Sequence, residues 1–407
     1  MDPVKRQSIH LKALFFLCYV GFGCLSPYAA IFYKHVLIDA DRKPAIGLIG
    51  LIFFVMPLVS LIANIPAGIL ADKFRSGKRL ITFFCFGTAL FAMLIGLAGE
   101  AGVAGQWGLG GKFFFIFLLL FFMNCCYYPI TPMIDTETLH FLNAHSRREF
   151  YGAYRLWGTY GWSVATILMG ALLYRFGHDP LIFYASAAAY AVMGFASWSG
   201  IEAKPTTQPI IIPWHHLKKD ALFQGFLAFV FLSGVVLNAS YIYIGYFFDD
   251  IMKTPLEIGW ILGTWTLFEI PVLFFSRPLI DRLGNRWLIV SGLLLSGLRL
   301  ILFSFFTRET PYLWKWTAAL LQGPGFALMH LGIIDFVDRR AHPDMRATYI
   351  TILNVARVSL ASALGGIMGS WLIREWGSAF LMQFCGLFTL VLIFLFLWLL
   401  RKYEAKQ

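Results

Sequence analysis

The chain has 407 residues, of which 59% are hydrophobic and only 14% charged, with a mean hydropathy of +0.70. A water-facing surface needs about a quarter charged residues, so a large soluble domain is excluded. The net charge of +11 does not point to nucleic acid; in a polytopic chain it marks a positively charged cytoplasmic face.

Apolar runs of spanning length recur at 11–33, 46–71, 79–98, 113–141, 151–174, 180–200, 220–247, 256–280, 286–306, 313–338, 347–373 and 378–400. A bilayer core takes roughly 20 apolar residues per helix, so the predicted fold class is an all-α membrane protein of about twelve transmembrane helices, spans 1 to 12. The first run follows Lys5, Arg6 and Lys12. It is too long for a signal-peptide core, and it is read as span 1. Cys18, Cys24, Cys85, Cys125, Cys126 and Cys385 all fall in apolar runs without metal-ligand spacing, which predicts packing residues, no disulfide and no metal or other cofactor.

With both termini in the cytoplasm, 21 of the 33 Lys and Arg fall in cytoplasmic segments and 9 in external loops. That bias is the one the bilayer selects. Arg155, Arg299 and Arg357 remain inside spans 5, 9 and 11. The longest polar break, around Lys204-Pro205-Thr206-Thr207-Gln208-Pro209, divides the chain near its middle. It predicts an N-terminal six-helix bundle at 1–200, a cytoplasmic linker at 201–219 and a C-terminal bundle at 220–407. The linker's His215-His216 pair lacks a third ligand and makes a poor metal site.

The two halves echo each other. Gly68-Ile-Leu-Ala-Asp72-Lys73-Phe74-Arg75-Ser76-Gly77-Lys78-Arg79 follows span 2, and Arg277-Pro-Leu-Ile-Asp281-Arg282-Leu283-Gly284-Asn285-Arg286 follows span 8. Spans 2 and 8 each carry two prolines, Pro57 and Pro66 in one, Pro271 and Pro278 in the other. A repeated element in two six-helix halves points to duplicated bundles with a binding site at their interface. Asp72, Asp281 and Arg282 are then candidates for gating, in tight cytoplasmic turns.

These turns resemble the Gly-x-x-x-Asp-x-x-Gly-x-Arg-Arg signature of the major facilitator superfamily. The first has extra residues before Gly77, and the second has Arg277 where the glycine usually sits. Closer similarity is to the branch of lactose permease-like, nucleoside–proton symporter-like and phenylpropionate permease-like proteins. It is carried by Tyr151-Gly152-x-x-Arg155-Leu156-Trp157-Gly158-x-x-Gly161-Trp162, Glu269-Ile270-Pro271, Leu298-Arg299 and Arg346-Ala347-Thr348. The resemblance implies alternating access between two bundles and proton-coupled movement of a small solute, for which a sugar, a nucleoside and an aromatic acid all stand as candidates.

An ionised side chain at mid-membrane depth costs about 2.5–3.5 kcal/mol even on lenient scales, so such residues mark a wet cavity or a pair. Glu269 and Arg299 lie near the middle of consecutive spans at similar depth, close enough for an ion pair. That pair is either a fixed bridge or, as the resemblance implies, a coupling site with Glu269 as proton carrier and Arg299 as modulator. Arg155 on span 5 and Asp135 on span 4 form a second candidate pair, a structural bridge or, by the resemblance, a site for solute hydroxyls. Glu137 lies two residues from Asp135 and faces another side of the helix; Asp135 is preferred as the deeper of the two.

His330 on span 10 is a candidate second proton site because imidazole titrates near neutrality. Arg357 is expected to pair with Asp335, nearer the interface. The His-x-x-Glu of lactose permease is absent; Gln322-Gly323-Pro324 stands near its place. Asn238, Gln322 and Trp162 complete the expected solute contacts, among aromatic residues that mostly pack helices, such as Tyr241 and Trp265.

The reading is a secondary transporter, a symporter of small solute and protons. Efflux of amphipathic compounds by proton exchange is its alternative. A membrane-embedded enzyme would need a catalytic constellation, and His140, His145 and His178 are isolated in sequence. A sensor without flux is the remaining class. The expected partners are a small-molecule solute, protons and the lipid bilayer, with the chain a monomer in the plasma membrane (the inner membrane in a bacterium).

Overall fold

The structure, a computed structural model, describes residues 3–74, 77–100, 108–147, 150–199, 221–340 and 346–404. The expected linker with His215-His216, and the side chain of Asp72, lie outside the described residues. Among the described residues twelve helical segments are long and apolar enough to cross a membrane. Spans 1 to 6 are Val4–Val36, Ile46–Ala71, Gly77–Gly99, Leu109–Ala144, Tyr151–Phe176 and Leu181–Trp198. Spans 7 to 12 are Ala221–Ile242, Pro255–Phe274, Ser276–Ser304, Tyr312–Val337, Thr348–Trp376 and Ser378–Lys402. The only strand-like feature among them is an isolated bridge between Ile38 and Pro44.

Several spans are interrupted, and proline explains where. A proline ring clashes with the carbonyl four residues earlier and offers no N–H to it. Span 8 breaks between Leu267 and Glu269, four residues before Pro271. Span 10 breaks at Leu321, just past the residue four before Pro324. Span 4 breaks at Tyr128 and Pro129, where Pro132 repeats the relationship. Pro57 and Pro66 in span 2, by contrast, sit inside one continuous helix, Ile46–Phe74. The long helix Ser276–Ser304 is two helices joined at Gly284, whose φ of 68° and ψ of 165° leave the helical region. Glycine adopts that backbone without steric cost, and the turn falls where the second sequence repeat predicts one.

The chain forms two compact units. The first comprises 1–208 and 254–263, the second 209–253 and 264–407. Span 8 is therefore shared, its first turns belonging to the first unit and Glu269 to the second. In the second unit a buried cluster of Phe226, Phe229, Phe336 and Phe396 joins spans 7, 10 and 12. Phe226 stacks on Phe336 with ring centroids 3.9 Å apart. Dispersion between such rings holds helices together where lipid tails remove the hydrophobic drive.

Candidate functional site

Glu269, Arg299 and Arg357 of the second unit converge on one cavity of about 210 Å³. Span 7 contributes Asn238 and Tyr241, span 8 Trp265 and Glu269, span 9 Arg299, span 10 Gln322 and Phe326, and span 11 Arg357. Glu269 reaches this wall because span 10 approaches span 8 backbone to backbone. A Cβ on Gly323 would lie 2.6 Å from the carbonyl oxygen of Trp265 and 2.8 Å from the amide nitrogen of Glu269. Only glycine permits that approach, and the break before Pro271 sets Glu269 at the start of a new helical turn.

Glu269 and Arg299 share the cavity without forming the expected ion pair; among the described residues, no cationic nitrogen lies within 4 Å of a Glu269 carboxylate oxygen. Arg299 is 3% exposed, and its Nε and Nη1 have no hydrogen-bond partner. Its guanidinium instead faces aromatic rings, 5.5 Å from the Trp265 centroid and 5.2 Å from that of Phe303. Counting residues along two helices gives depth in the membrane. It does not give the direction in which each side chain leaves its helix, and here that direction keeps the two charges apart.

Arg357 sits in a π-helical turn, Val355–Leu360, within span 11. Such a turn shifts the hydrogen-bond register by one and is frequent at functional sites. Asn238 Nδ2 donates to the Arg357 carbonyl at 2.8 Å. The Arg357 guanidinium lies 5.7 Å from the Phe326 ring centroid, and its Nη1 is 3.4 Å from His330 Nδ1. His330 in turn stacks on Phe326, with an interplanar angle of 6°. The expected pairing of Arg357 with Asp335 is not found. Asp335 Oδ2 accepts from Arg339 Nε at 2.7 Å, one turn along the same helix. A neighbour on the same helix is already held in reach, so the local pair forms at lower entropic cost.

In the first unit, Asp135 and Arg155 do meet, loosely. Arg155 Nη1 lies 4.0 Å from Asp135 Oδ1, with side chains 40% and 30% exposed. Asp135 Oδ1 accepts a shorter bond, 2.7 Å, from the Tyr151 hydroxyl. The Arg155 guanidinium lies 4.8 Å from the Tyr19 centroid and 5.7 Å from that of Phe15. Trp162 is 5% exposed, packed within the unit with little surface to offer a solute. Asp281 and Arg282 are exposed beside the Gly284 turn.

Sequence reasoning did not anticipate the π turn or the Tyr151 bond, although Tyr151 stands one helical turn from Arg155. Nor did it single out Lys315, which lies inside span 10. Lys315 is buried and donates to the carbonyls of Ile251 at 2.8 Å and Arg308 at 3.3 Å. All six cysteines are free.

Comparison with known proteins agrees with this architecture. The chain is 23% identical over 399 residues to the maltose permease of Geobacillus stearothermophilus, covering 95% of this chain and 93% of that protein. It is 20% identical to the probable 3-phenylpropionic acid transporter of Escherichia coli strain K12, covering 90% and 92%. The crystal structure of the nucleoside transporter NupG superposes with a TM-score of 0.77 at 17% identity, over 98% of this chain and 99% of that one, a likeness of fold. The chain belongs to the MFS_1 like family, whose sequence model matches residues 8–385, and so to the major facilitator superfamily of multi-pass membrane transporters.

Proposed function

We propose that the protein is a proton-coupled symporter that carries a small organic solute, a sugar, nucleoside or aromatic acid, by alternating access. The observation that supports this reading is the cavity in the second unit, where Glu269, Arg299 and Arg357 share one wall with neither arginine bound to the carboxylate. A carboxylate held at that depth without a cationic partner is costly to keep charged. It therefore takes up a proton readily and yields it when water enters or a solute rearranges the neighbouring arginines. Glu269 is the proton carrier in this scheme, Arg299 its modulator and His330 a second proton site. Gln322 contributes to the solute site directly and Asn238 by seating Arg357, while Asp135 and Arg155 are the polar pair of the first bundle.

The two bundles, 1–200 and 220–407, rock about the linker at 201–219. The turns containing Asp72, Asp281 and Arg282, with Asp335 and Arg357, act as gating elements. Both termini face the cytoplasm, and the chain works as a monomer in the plasma membrane. The relatives' named cargoes, a disaccharide and an aromatic acid, and the nucleoside of the structural neighbour define the panel to test.

The test is uptake of labelled sugars, nucleosides and aromatic acids into proteoliposomes, with and without an imposed pH gradient. Accumulation above equilibrium for one class, driven by inward proton flow, is the expected result. Gradient-driven exit from right-side-out vesicles would support efflux instead. Flux that ignores the pH gradient for every solute carried would sink the coupling.

A further inference from the structure

The wall of the cavity carries more positive charge than negative. Arg299 and Arg357 face it with Glu269 as the single carboxylate among its lining residues. Whether Glu269 is ionised or neutral, at least one guanidinium is left without a counter-charge. Arg299 is the sharper case: it is 3% exposed, with Nε and Nη1 unsatisfied. Burying a cation with free N–H groups is costly, and the faces of Trp265 and Phe303 offset only part of that cost.

We infer that the cavity is a binding site for an organic monoanion, a carboxylate on a planar apolar body, with the carboxylate received by Arg299. This rests on the transport reading above and narrows its cargo. A guanidinium carries a full positive charge and N–H donors that pair with a carboxylate more strongly than with a neutral acceptor. The hydroxyls of a sugar or nucleoside accept a hydrogen bond but leave the charge uncompensated. Beside Arg299, Trp265 and Tyr241 lie near parallel, with ring centroids 6.5 Å apart and planes at 27°, and Phe326 lines the same cavity. Tyr241 and Phe326 offer aromatic surface to the planar body, Trp265 backs Arg299, and Arg357 supplies a second positive charge on the cavity lining.

The experiment measures binding to the purified full-length protein by ligand-induced thermal stabilisation and calorimetry. The matched probes are phenylacetate and its neutral amide phenylacetamide, with maltose and uridine as neutral polyols. Wild type is expected to prefer phenylacetate over phenylacetamide by about ten- to a hundredfold, the range of one charge-assisted hydrogen bond or more. Arg299→Gln is expected to bring that ratio close to one. Because it removes a buried charge with no partner, it should leave the ligand-free melting temperature equal or higher, so loss of discrimination will not reflect misfolding. Arg357→Gln is the second variant and should lower the ratio part of the way.

Equal or tighter binding of the amide, of maltose or of uridine overturns the inference, as does unchanged discrimination in Arg299→Gln. Absence of any phenylacetate binding overturns it as well. Carboxylate binding with no flux in proteoliposomes would instead count against transport and leave the anion site standing.

Discussion

Asn238 and Arg357, on spans 7 and 11, are joined by a hydrogen bond from the Asn238 side chain to the Arg357 carbonyl at 2.8 Å. The same arginine's backbone approaches Gly234, where an added Cβ would lie 3.0 Å from the Arg357 oxygen. The two contacts fall one helical turn apart on span 7 and together seat the π-helical turn that aims Arg357 at the cavity. Asn238 is thus tied up as a positioning residue, which leaves it less free to bind cargo.

Asn238→Ala should remove the donor while leaving the helix face open. Interhelical hydrogen bonds in membranes are worth about 0.6–1.7 kcal/mol, so a modest fall in melting temperature is expected. Solute affinity should fall with it, because Arg357 loses its seat. A control, Ser240→Ala, removes a hydroxyl that bonds to its own helix at Leu237 and does not line the cavity, so it should change affinity little. Equal loss in both variants would argue that Asn238 is merely a packing residue.

How far these features were legible follows from what the bilayer enforces. Each span must present an unbroken apolar run, so twelve spans and the turn at Gly284 could be read directly from the sequence. Proline accounts for the breaks before Glu269 and before Phe326. The π turn was not legible, because nothing in Val355–Leu360 by itself selects it; a donor and a glycine on span 7, more than a hundred residues away in sequence, accommodate it. Depth counting put Glu269 and Arg299 at one level yet could not tell a pair from two separate groups on a shared wall. Asp335 went to Arg339 for a reason that was present in the sequence, four-residue spacing on one helix.

The first unit's polar group should divide unequally. In a double-mutant cycle, Asp135 and Tyr151 should couple by about 0.5–1.5 kcal/mol, as their hydrogen bond suggests. Asp135 and Arg155, part-exposed and 4.0 Å apart, should couple by about 0.5 kcal/mol or less after solvent screening. Thermal unfolding of Asp135→Asn, Tyr151→Phe, Arg155→Gln and their double variants checks this. If the arginine instead dominates the coupling, the pair is a true bridge and is poorly suited to releasing toward a solute.

Gly323 should tolerate no side chain. Alanine there would press on the Trp265 carbonyl and the Glu269 amide, which are backbone atoms of span 8 and cannot rotate away. Overpacking of this kind costs about 1–3 kcal/mol. Gly323→Ala should therefore lower stability and also displace Glu269, cutting proton-driven uptake more than solute exchange. A variant as stable and active as wild type would mean that spans 8 and 10 separate easily.

Glu269→Gln separates coupling from carriage most directly. The amide keeps the size of the side chain but cannot give up a proton at any working pH. If Glu269 is the proton carrier, the variant should lose accumulation driven by a pH gradient. It should retain exchange of internal for external solute, a half-cycle that needs no net proton movement. Uptake by wild type should rise as the outside is acidified, and the variant's exchange rate should be flat over the same range. Both quantities are read in one proteoliposome preparation loaded with unlabelled solute. Retained accumulation in Glu269→Gln would move the proton elsewhere, with His330 beside Arg357 as the next group to replace. Loss of exchange together with accumulation would show that the carboxylate binds cargo rather than carrying the proton alone.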